Sequence, residues 1–349
     1  MPLRRIALVC AACACAVAVA SSGRALAVNG LEQVLRGRFG MSTAQVAAVR
    51  QGRPVAVALP AGADREIQVG GAVHVSASAD RLAALLQDVE RLESGEGFLH
   101  TRRLSDPPRV SDFRELHLPA EDIADLRACR PGRCEVKLGQ GAFDRLAQID
   151  WEARDVSARV NELARSTALD YIEAYRKGGN AELAIYVDSK RPTWIATEFT
   201  QLVAGARLWP GLLRPLEEFL LGYPATAPPA GASDFFYWSM ADFGLKPVIR
   251  LNHVVVFPTG QTDGLRQVVA VKQLYASHYF HTALELRAVV ADDDPAVGGS
   301  TIVILNMARS DGLTGLFGGL VKSKARAGSR EGLERALAAI RRMAESVAR

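Results

Sequence analysis

Two patterns of apolar and polar positions divide this chain, and together they predict a mixed α and β architecture. In the C-terminal part, apolar residues recur at alternate positions, which is typical of half-buried strands. The connectors between these segments are rich in Gly, Asp, Thr and Pro, as antiparallel hairpins require. The pattern predicts five strands, at 235–240, 248–257, 267–275, 280–290 and 301–309.

Further strands and helices precede this region. Strands are predicted at 54–59, 66–69, 71–77 and 98–104, and short helices at 30–38 and 43–51. Ser78 caps a further helix with leucines on one face. The stretch 138–223 has helical spacing, and a Pro-rich linker ends it at 231. A last amphipathic helix has Leu333 and Leu337 on its apolar face. Because each preceding glycine costs about 1 kcal/mol inside a helix, we expect its regular part to begin near Ser329.

The first residues have the three parts of a secretory signal peptide. Arg4 and Arg5 precede an uncharged apolar stretch, and a small-x-small cleavage site ends at Ala27, before Val28. The apolar stretch is shorter than the roughly 20 residues needed to cross a bilayer. We therefore expect cleavage and an extracytoplasmic protein, periplasmic or secreted. Removal of 1–27 leaves 39 basic and 38 acidic residues. With a net charge of about +1, nothing favours nucleic acid as a partner.

Two cysteines, Cys129 and Cys134, follow the signal segment and flank a Pro-Gly turn. A turn brings its ends together, and an oxidising compartment favours a disulfide between them. Free thiols and a redox-active pair remain alternatives, although the spacing is not C-x-x-C. A metal site would need more ligands, and we expect no metal and no cofactor.

In residues 71–88, a strand that ends in small residues leads into a short helix with an aspartate. This segment resembles the opening of START-like (SRPBCC) helix-grip proteins. The C-terminal meander, glycine-bearing turn and long last helix resemble the other end of that fold. The resemblance covers about 71–104 and 235–347. It implies an α+β fold in which a curved antiparallel sheet wraps the C-terminal helix and holds an apolar ligand between them. It implies no catalytic motif.

On this basis the chain divides into five parts. They are a signal peptide (1–27), N-terminal helices and strands (28–70), the first part of a helix-grip-like core (71–137), a helical insertion and linker (138–231), and the antiparallel meander with the C-terminal helix (232–349).

The densest cluster of reactive side chains spans 272–281. In an unbroken strand, Lys272 and His278 would share one face, and Tyr275, Tyr279 and His281 would share the other. These groups would bind an acidic head group or move a proton, or they would simply pack and be solvated. The candidate ligand-binding residues are Tyr237, Trp238, His253, Lys272, Tyr275, His278, Tyr279 and Arg309. Each has a structural alternative; for Arg309 it is an ion pair with Asp311.

Other signatures of function are weak or missing. The chain has no nucleophile elbow, P-loop or Rossmann fingerprint. The segment 313–326 combines Leu316, Phe317 and Leu320 with Lys322 and Lys324, and it suits either peripheral membrane contact or the buried start of a helix. We favour burial.

The leading hypothesis is an exported, non-catalytic binding or carrier protein for an apolar or amphipathic ligand. The alternatives are an extracytoplasmic enzyme, cyclase-like or hydrolase-like, that uses Tyr275, His278 and Lys272, and an envelope interaction protein. A solid core without a cavity would favour the last.

Overall fold

An antiparallel sheet of eight strands is the centre of the structure. This computed structural model describes residues 30–206, 208–209, 211–242, 244–260, 264–292, 298–314 and 318–346; the predicted signal peptide lies outside them. The sheet has the spatial order β1-β2-β10-β9-β8-β7-β6-β3, and β4 and β5 form a separate hairpin. The strands are β1 (Val55–Leu59), β2 (Glu66–Val75), β3 (Phe98–Arg103), β4 (Ile185–Tyr186), β5 (Thr193–Trp194), β6 (Ser233–Ala241), β7 (Val248–Pro258), β8 (Leu265–Ala276), β9 (Phe280–Ala291) and β10 (Ser300–Ser310).

The five predicted C-terminal strands are confirmed as the meander β6 to β10, in which consecutive strands pair antiparallel. The two strands predicted at 66–69 and 71–77 are one continuous strand, β2. The glycines at 70 and 71 do not interrupt the strand; they lie where neighbouring side chains pack closely against its backbone. A Cβ on Gly70 would lie 2.6 Å from the Phe39 ring, and one on Gly71 would lie 2.9 Å from Leu333 and Leu337. Helices therefore approach the backbone of β2 from both sides.

One face of the sheet packs against α3 (Ala79–Gln87), α4 (Val89–Leu92) and α10 (Gly318–Glu345). We call it the grip face. Its core contains valines and isoleucines of the strands together with leucines of α3 and α10, among them Leu82, Leu333 and Leu337. The C-terminal half of α10 contacts the sheet directly, since its leucines meet Gly71.

The opposite face, which we call the insertion face, packs against helices from the N-terminal and inserted segments. Its two apolar clusters join residues of α1, α2, α7, α8 and α9 to the strands. A smaller cluster joins α5 and α6 to the start of α7. The helices are α1 (Gln33–Arg38, with π-type hydrogen bonds), α2 (Thr43–Arg50), α5 (Ala120–Ala128), α6 (Gln140–Leu146), α7 (Val156–Gly178), α8 (Ile195–Ala204) and α9 (Arg214–Gly222).

The prediction that the last helix begins near Ser329 is wrong, because α10 begins at Gly318. Helix propagation adds one hydrogen bond for each residue fixed, which offsets the glycine cost. Lys322 also ties the first turns to the body, since its Nζ donates to the Asp64 carbonyl at 2.9 Å. The expected burial of this first part is wrong at Leu320 and Val321, which are 60% and 43% exposed, because these positions face away from the sheet side of the helix; Leu316 and Phe317 lie outside the described residues.

The cysteine pair follows α5, a helix that the apolar pattern did not reveal. The sulfur atoms of Cys129 and Cys134 lie at disulfide distance, as the turn between them predicts. The adjoining backbone docks on the hairpin between β8 and β9, where the Lys137 amide donates to the Ser277 carbonyl at 2.8 Å. Among the described residues, no helix combines the length and the apolar character needed to span a membrane.

Candidate functional site

A row of polar side chains crosses the grip face on five neighbouring strands. Strand register places them together, because residues paired in antiparallel strands share a face. Tyr237 is paired with Asn252, Asn252 with Gln273, and Glu285 with Asn306. We call this set the grip-face row; its members are Tyr237, Ser239, Arg250, Asn252, Gln273, Glu285, Arg287 and Asn306.

A buried carboxylate joins one end of the row to α4. Glu93, directly after α4, is 5% exposed. Its Oε1 accepts from the Tyr237 hydroxyl and its Oε2 accepts from Arg250 Nη2, both at 2.8 Å. Arg287 Nη2 lies 4.0 Å from the same carboxylate, and its Nε donates to Glu285 at 2.7 Å. Burial, and secondly the charge of Glu93, raise the pKa of Tyr237. The phenol therefore stays protonated and acts as a donor.

Several polar atoms of the row are buried without a hydrogen-bond partner among the described residues. They are Asn252 Nδ2, Gln273 Nε2, Arg287 Nη1 and Asn306 Oδ1. The first three side chains belong to residues that are only 1%, 5% and 5% exposed. Native structures satisfy nearly all buried polar groups, and an unsatisfied one costs about 1–3 kcal/mol. Three donors and one acceptor on the same face of the sheet, two of them on the cross-strand pair Asn252 and Gln273, therefore match a ligand head group that carries mainly acceptor oxygens.

Solvent reaches the row at its β9–β10 end, where Glu285 and Asn306 are only partly buried. The N-terminal half of α10 extends towards the start of β2, where Lys322 donates to the Asp64 carbonyl, and Arg326 lies on the same helical stripe as Leu333 and Leu337. The Nε of Arg326 is also buried without a partner in the described part of the chain. A further cation donor thus comes from the helix that covers the sheet.

Two of the sequence-predicted residues, His253 and Lys272, lie on the insertion face as a cross-strand pair. Lys272 Nζ donates to the Tyr175 hydroxyl at 2.9 Å, and His253 Nε2 lies 2.9 Å from an oxygen of Asp234. The prediction that Tyr275 faces away from Lys272 is wrong. A bulge where β7 pairs with β8 shifts the register, so the Tyr275 ring packs among the tyrosines of the insertion.

The predicted run 272–281 is not one strand, since β8 ends at Ala276 and β9 begins at Phe280. His278 in the connecting turn is 3% exposed, and its Nε2 lies 3.1 Å from both carboxylate oxygens of Asp122. Tyr279 has a φ of 59°, and its hydroxyl accepts from the Lys246 amide at 2.9 Å. His278 thus fixes the hairpin against the segment that contains the cysteine pair, and Tyr279 fixes it against the connection between β6 and β7.

Trp238 and Arg309 have structural partners too. Trp238 Nε1 donates to the Asp112 carbonyl at 2.9 Å. Arg309 donates to Glu66 at 2.9 and 3.0 Å and to Glu198 at 3.1 Å. The predicted ion pair between Arg309 and Asp311 is replaced by these contacts, and Asp311 instead binds His281 Nε2 at 2.6 Å.

Comparisons with known proteins give no indication of the function, so the geometry of the site has to supply it. No protein-family model, no curated protein and no solved structure matches the chain. Within the residues that the structure describes, no three His, Cys, Asp or Glu side chains are grouped closely enough to hold a metal ion.

Of the eight predicted candidates, Tyr237 is the member of the grip-face row. Sequence reasoning missed the amides and charges beside it. The sequence did contain a signal for them, in the alternation of apolar and polar residues along β9 and β10. Glu285, Arg287 and Asn306 occupy core-facing positions in strands that are otherwise built of valine, leucine and isoleucine. Polar residues at core-facing positions conflict with the binary pattern, and such conflicts are expected at functional sites.

Proposed function

We propose that this chain is an exported binding protein for an amphipathic small molecule, held between the grip face and α10 in a START-like core. The observation that carries the proposal is the set of buried, unpartnered donors in the grip-face row. Export is supported by the features of 1–27 and by a cysteine pair at disulfide distance, which is compatible with an oxidising compartment.

Packing along α10 supports a particular placement of the ligand. The C-terminal half of the helix fills its contact with the sheet, since Leu333 and Leu337 approach Gly71 closely. The other half extends towards the start of β2 and carries Arg326, whose Nε is buried without a partner among the described residues. We therefore propose that the head group binds at the cross-strand pair Asn252 and Gln273. The valine-rich strands are packed against α3 and α10, so α10 must move away from the sheet to admit the apolar part of the ligand. Exposed Leu320 and Val321, next to exposed Lys324, support peripheral contact with a membrane from which such a ligand is collected.

Mass spectrometry of the native protein tests for a retained lipid, and titration with a fluorescent fatty acid measures affinity. Gln273→Met keeps the side-chain length but removes the donor. It should weaken binding about two- to tenfold, since one hydrogen bond contributes about 0.5–1.5 kcal/mol. It should also raise the melting temperature of the ligand-free protein, because an unsatisfied buried amide disappears.

The control is Gln148→Met, at an exposed position, which should change neither quantity. A merely structural Gln273 would not give opposite changes in affinity and stability. If neither a retained lipid nor probe binding is found, the proposal fails.

A second candidate, an envelope interaction protein, is favoured by one exposed apolar pair. Ile185 and Trp194 are cross-strand partners in the β4–β5 hairpin, and they are 37% and 58% exposed. Exposed aromatic residues are enriched at protein interfaces. A photo-crosslinking residue at position 194 should capture one envelope protein in cells, whereas the same residue at Gln148 should not. Equal labelling from both positions would exclude this function.

A further inference from the structure

Lys272 is a completely buried lysine on the insertion face, away from the grip-face row. Its Nζ donates to the Tyr175 hydroxyl and to the Asn180 side-chain oxygen, and it lies 4.0 Å from the centre of the Phe199 ring. No carboxylate in the described part of the chain forms an ion pair with it. Burial lowers the pKa of Lys272 well below the usual value for an amine. The amine is therefore kept as a free base at a far lower pH than an exposed lysine.

A surface groove is lined by Asn180, the residue whose side-chain oxygen accepts from this amine. It is an open groove formed by the end of α7, the following turn and the end of α9, and its volume is about 460 Å³. Leu221 and Ala225 supply apolar lining, and Lys177 lies at its edge. Asn180 and Tyr223 line the groove as well. Among the described residues, Asn180 thus both borders the groove and accepts from Lys272 Nζ.

A hydrogen-bonded chain connects the amine with the surface. The Tyr175 hydroxyl lies 3.3 Å from His253 Nδ1, and His253 Nε2 lies 2.9 Å from Asp234, whose side chain is 32% exposed. Tyr223 covers the chain from the groove side, with its ring stacked 5.2 Å from that of Tyr175. Protons therefore have a route between Lys272 and solvent that does not cross the groove.

We propose that Lys272 is a carbonyl-reactive residue that forms an imine with an aldehyde or ketone bound in this groove. This is a second site, on the other side of the sheet from the amphipath site proposed above, and it goes beyond that function. A desolvated lysine next to a small-molecule groove is the arrangement in which an amine acts as a nucleophile at neutral pH.

The chemistry balances without an oxidant or reductant. The lone pair of Nζ attacks the carbonyl carbon, a C–N bond forms, and the carbonyl oxygen takes up a proton. The resulting carbinolamine loses its hydroxyl group and a nitrogen-bound hydrogen as one water molecule, which leaves the C=N bond. Tyr175 is placed to donate the proton to the departing hydroxyl and to recover it through His253. The Asn180 side chain must rotate away before a ligand reaches Nζ.

The experiment uses the full chain after signal removal, with hexanal as the probe and sodium cyanoborohydride to reduce the imine. Peptide mass spectrometry then locates the N-hexyl group. At pH 7 an exposed lysine has less than about one part in a thousand of its amine unprotonated. We therefore expect Lys272 to be labelled at least about tenfold faster than Lys177, the exposed matched control at the same groove.

Three variants separate a reactive from a structural lysine. Lys272→Met should abolish labelling of its peptide and leave that of Lys177 unchanged. Asn180→Ala removes the side chain between groove and amine and should accelerate labelling. Tyr175→Phe keeps the stacked ring, loses the proton donor and should slow labelling at least about tenfold. If Lys272 stays unmodified in both the wild type and Asn180→Ala while exposed lysines react, the proposal is wrong. Binding of amphipathic molecules at the grip face is measured in a separate experiment. The carbonyl-reactive lysine and the amphipath site can therefore be refuted independently of each other.

Discussion

Substitution of Gly71 by alanine tests how closely α10 packs against the sheet. The new Cβ would lie 2.9 Å from Cδ2 of Leu333, 2.9 Å from Cδ1 of Leu337 and 3.0 Å from the Val55 carbonyl oxygen. All three distances are shorter than the ~3.5–4.0 Å at which carbon atoms pack best. The two leucines are 3% and 0% exposed, so they have little room to retreat. The Val55 carbonyl is held by the pairing of β1 with β2.

Overpacking of a filled core typically costs about 1–3 kcal/mol, and we expect about 2 kcal/mol for Gly71→Ala because one of the three neighbours is backbone. Leu337→Ala alone should cost about 2–5 kcal/mol by leaving a cavity. In the double variant the alanine at 71 occupies part of that cavity. The double variant should therefore be more stable than the sum of the single effects predicts, by about 1 kcal/mol or more.

The assay is urea unfolding at equilibrium, followed by tryptophan fluorescence. Gly328→Ala is the matched control, because a Cβ there meets nothing within 4 Å, and it should stabilise α10 by up to about 1 kcal/mol. A Gly71→Ala variant within about 0.5 kcal/mol of the wild type, or strictly additive effects in the double variant, would refute the close packing of helix on sheet.

Three further predictions concern covalent and ionic contacts. Replacing both Cys129 and Cys134 with alanine should lower the unfolding free energy by about 2 kcal/mol on the chain-entropy model, as measured by the same urea assay; no change would show that the link does not constrain the unfolded chain. His281 lowers the pKa of Asp311 from 3.8 to about 2, so the charged carboxylate stabilises the fold above pH 4 and loses this effect as the pH falls towards 2. Asp311→Asn should accordingly have a lower melting temperature than the wild type at pH 7 and nearly the same melting temperature near pH 2. A difference in melting temperature that persists in acid would contradict this. Arg309→Met leaves two carboxylates without their cation and should destabilise by about 3–5 kcal/mol, which thermal unfolding at pH 7 would show; an unchanged melting temperature would count against it.

The strands were largely predictable from the sequence, because each has apolar residues at alternate positions and turn residues at its ends. The meander from β6 to β10 follows this rule almost residue by residue. Prediction was wrong where local propensity competed with packing. The glycines at 70 and 71 indicated a break but serve close contact, and those at 318 and 328 suggested a late start for α10. Neither outcome is visible without knowing which helix lies against which strand.

The candidate sites were predictable only in part, because register and bulges decide which side chains meet. Lys272 and His253 were expected as candidates, and they do pair across two strands. Their partners Tyr175 and Asn180 come from the insertion, about 90 residues away along the chain. Gln273 and Asn252 were passed over since each is a lone amide in its own strand. Only the alignment of neighbouring strands turns such single residues into a row.

Arg309 and Gln273 are equally buried polar residues, but their hydrogen bonding differs. Arg309 is buried on the side of β10 where Glu66, Glu198 and Gln201 surround its guanidinium with acceptors. The fold is thus able to satisfy a buried charge completely where the role is structural. Gln273 is buried to the same degree, yet its amide nitrogen has no acceptor among the described residues. Because an unsatisfied donor lowers stability in every molecule that folds, the proposed binding function accounts for Gln273 and its cross-strand partner Asn252 through a gain on binding.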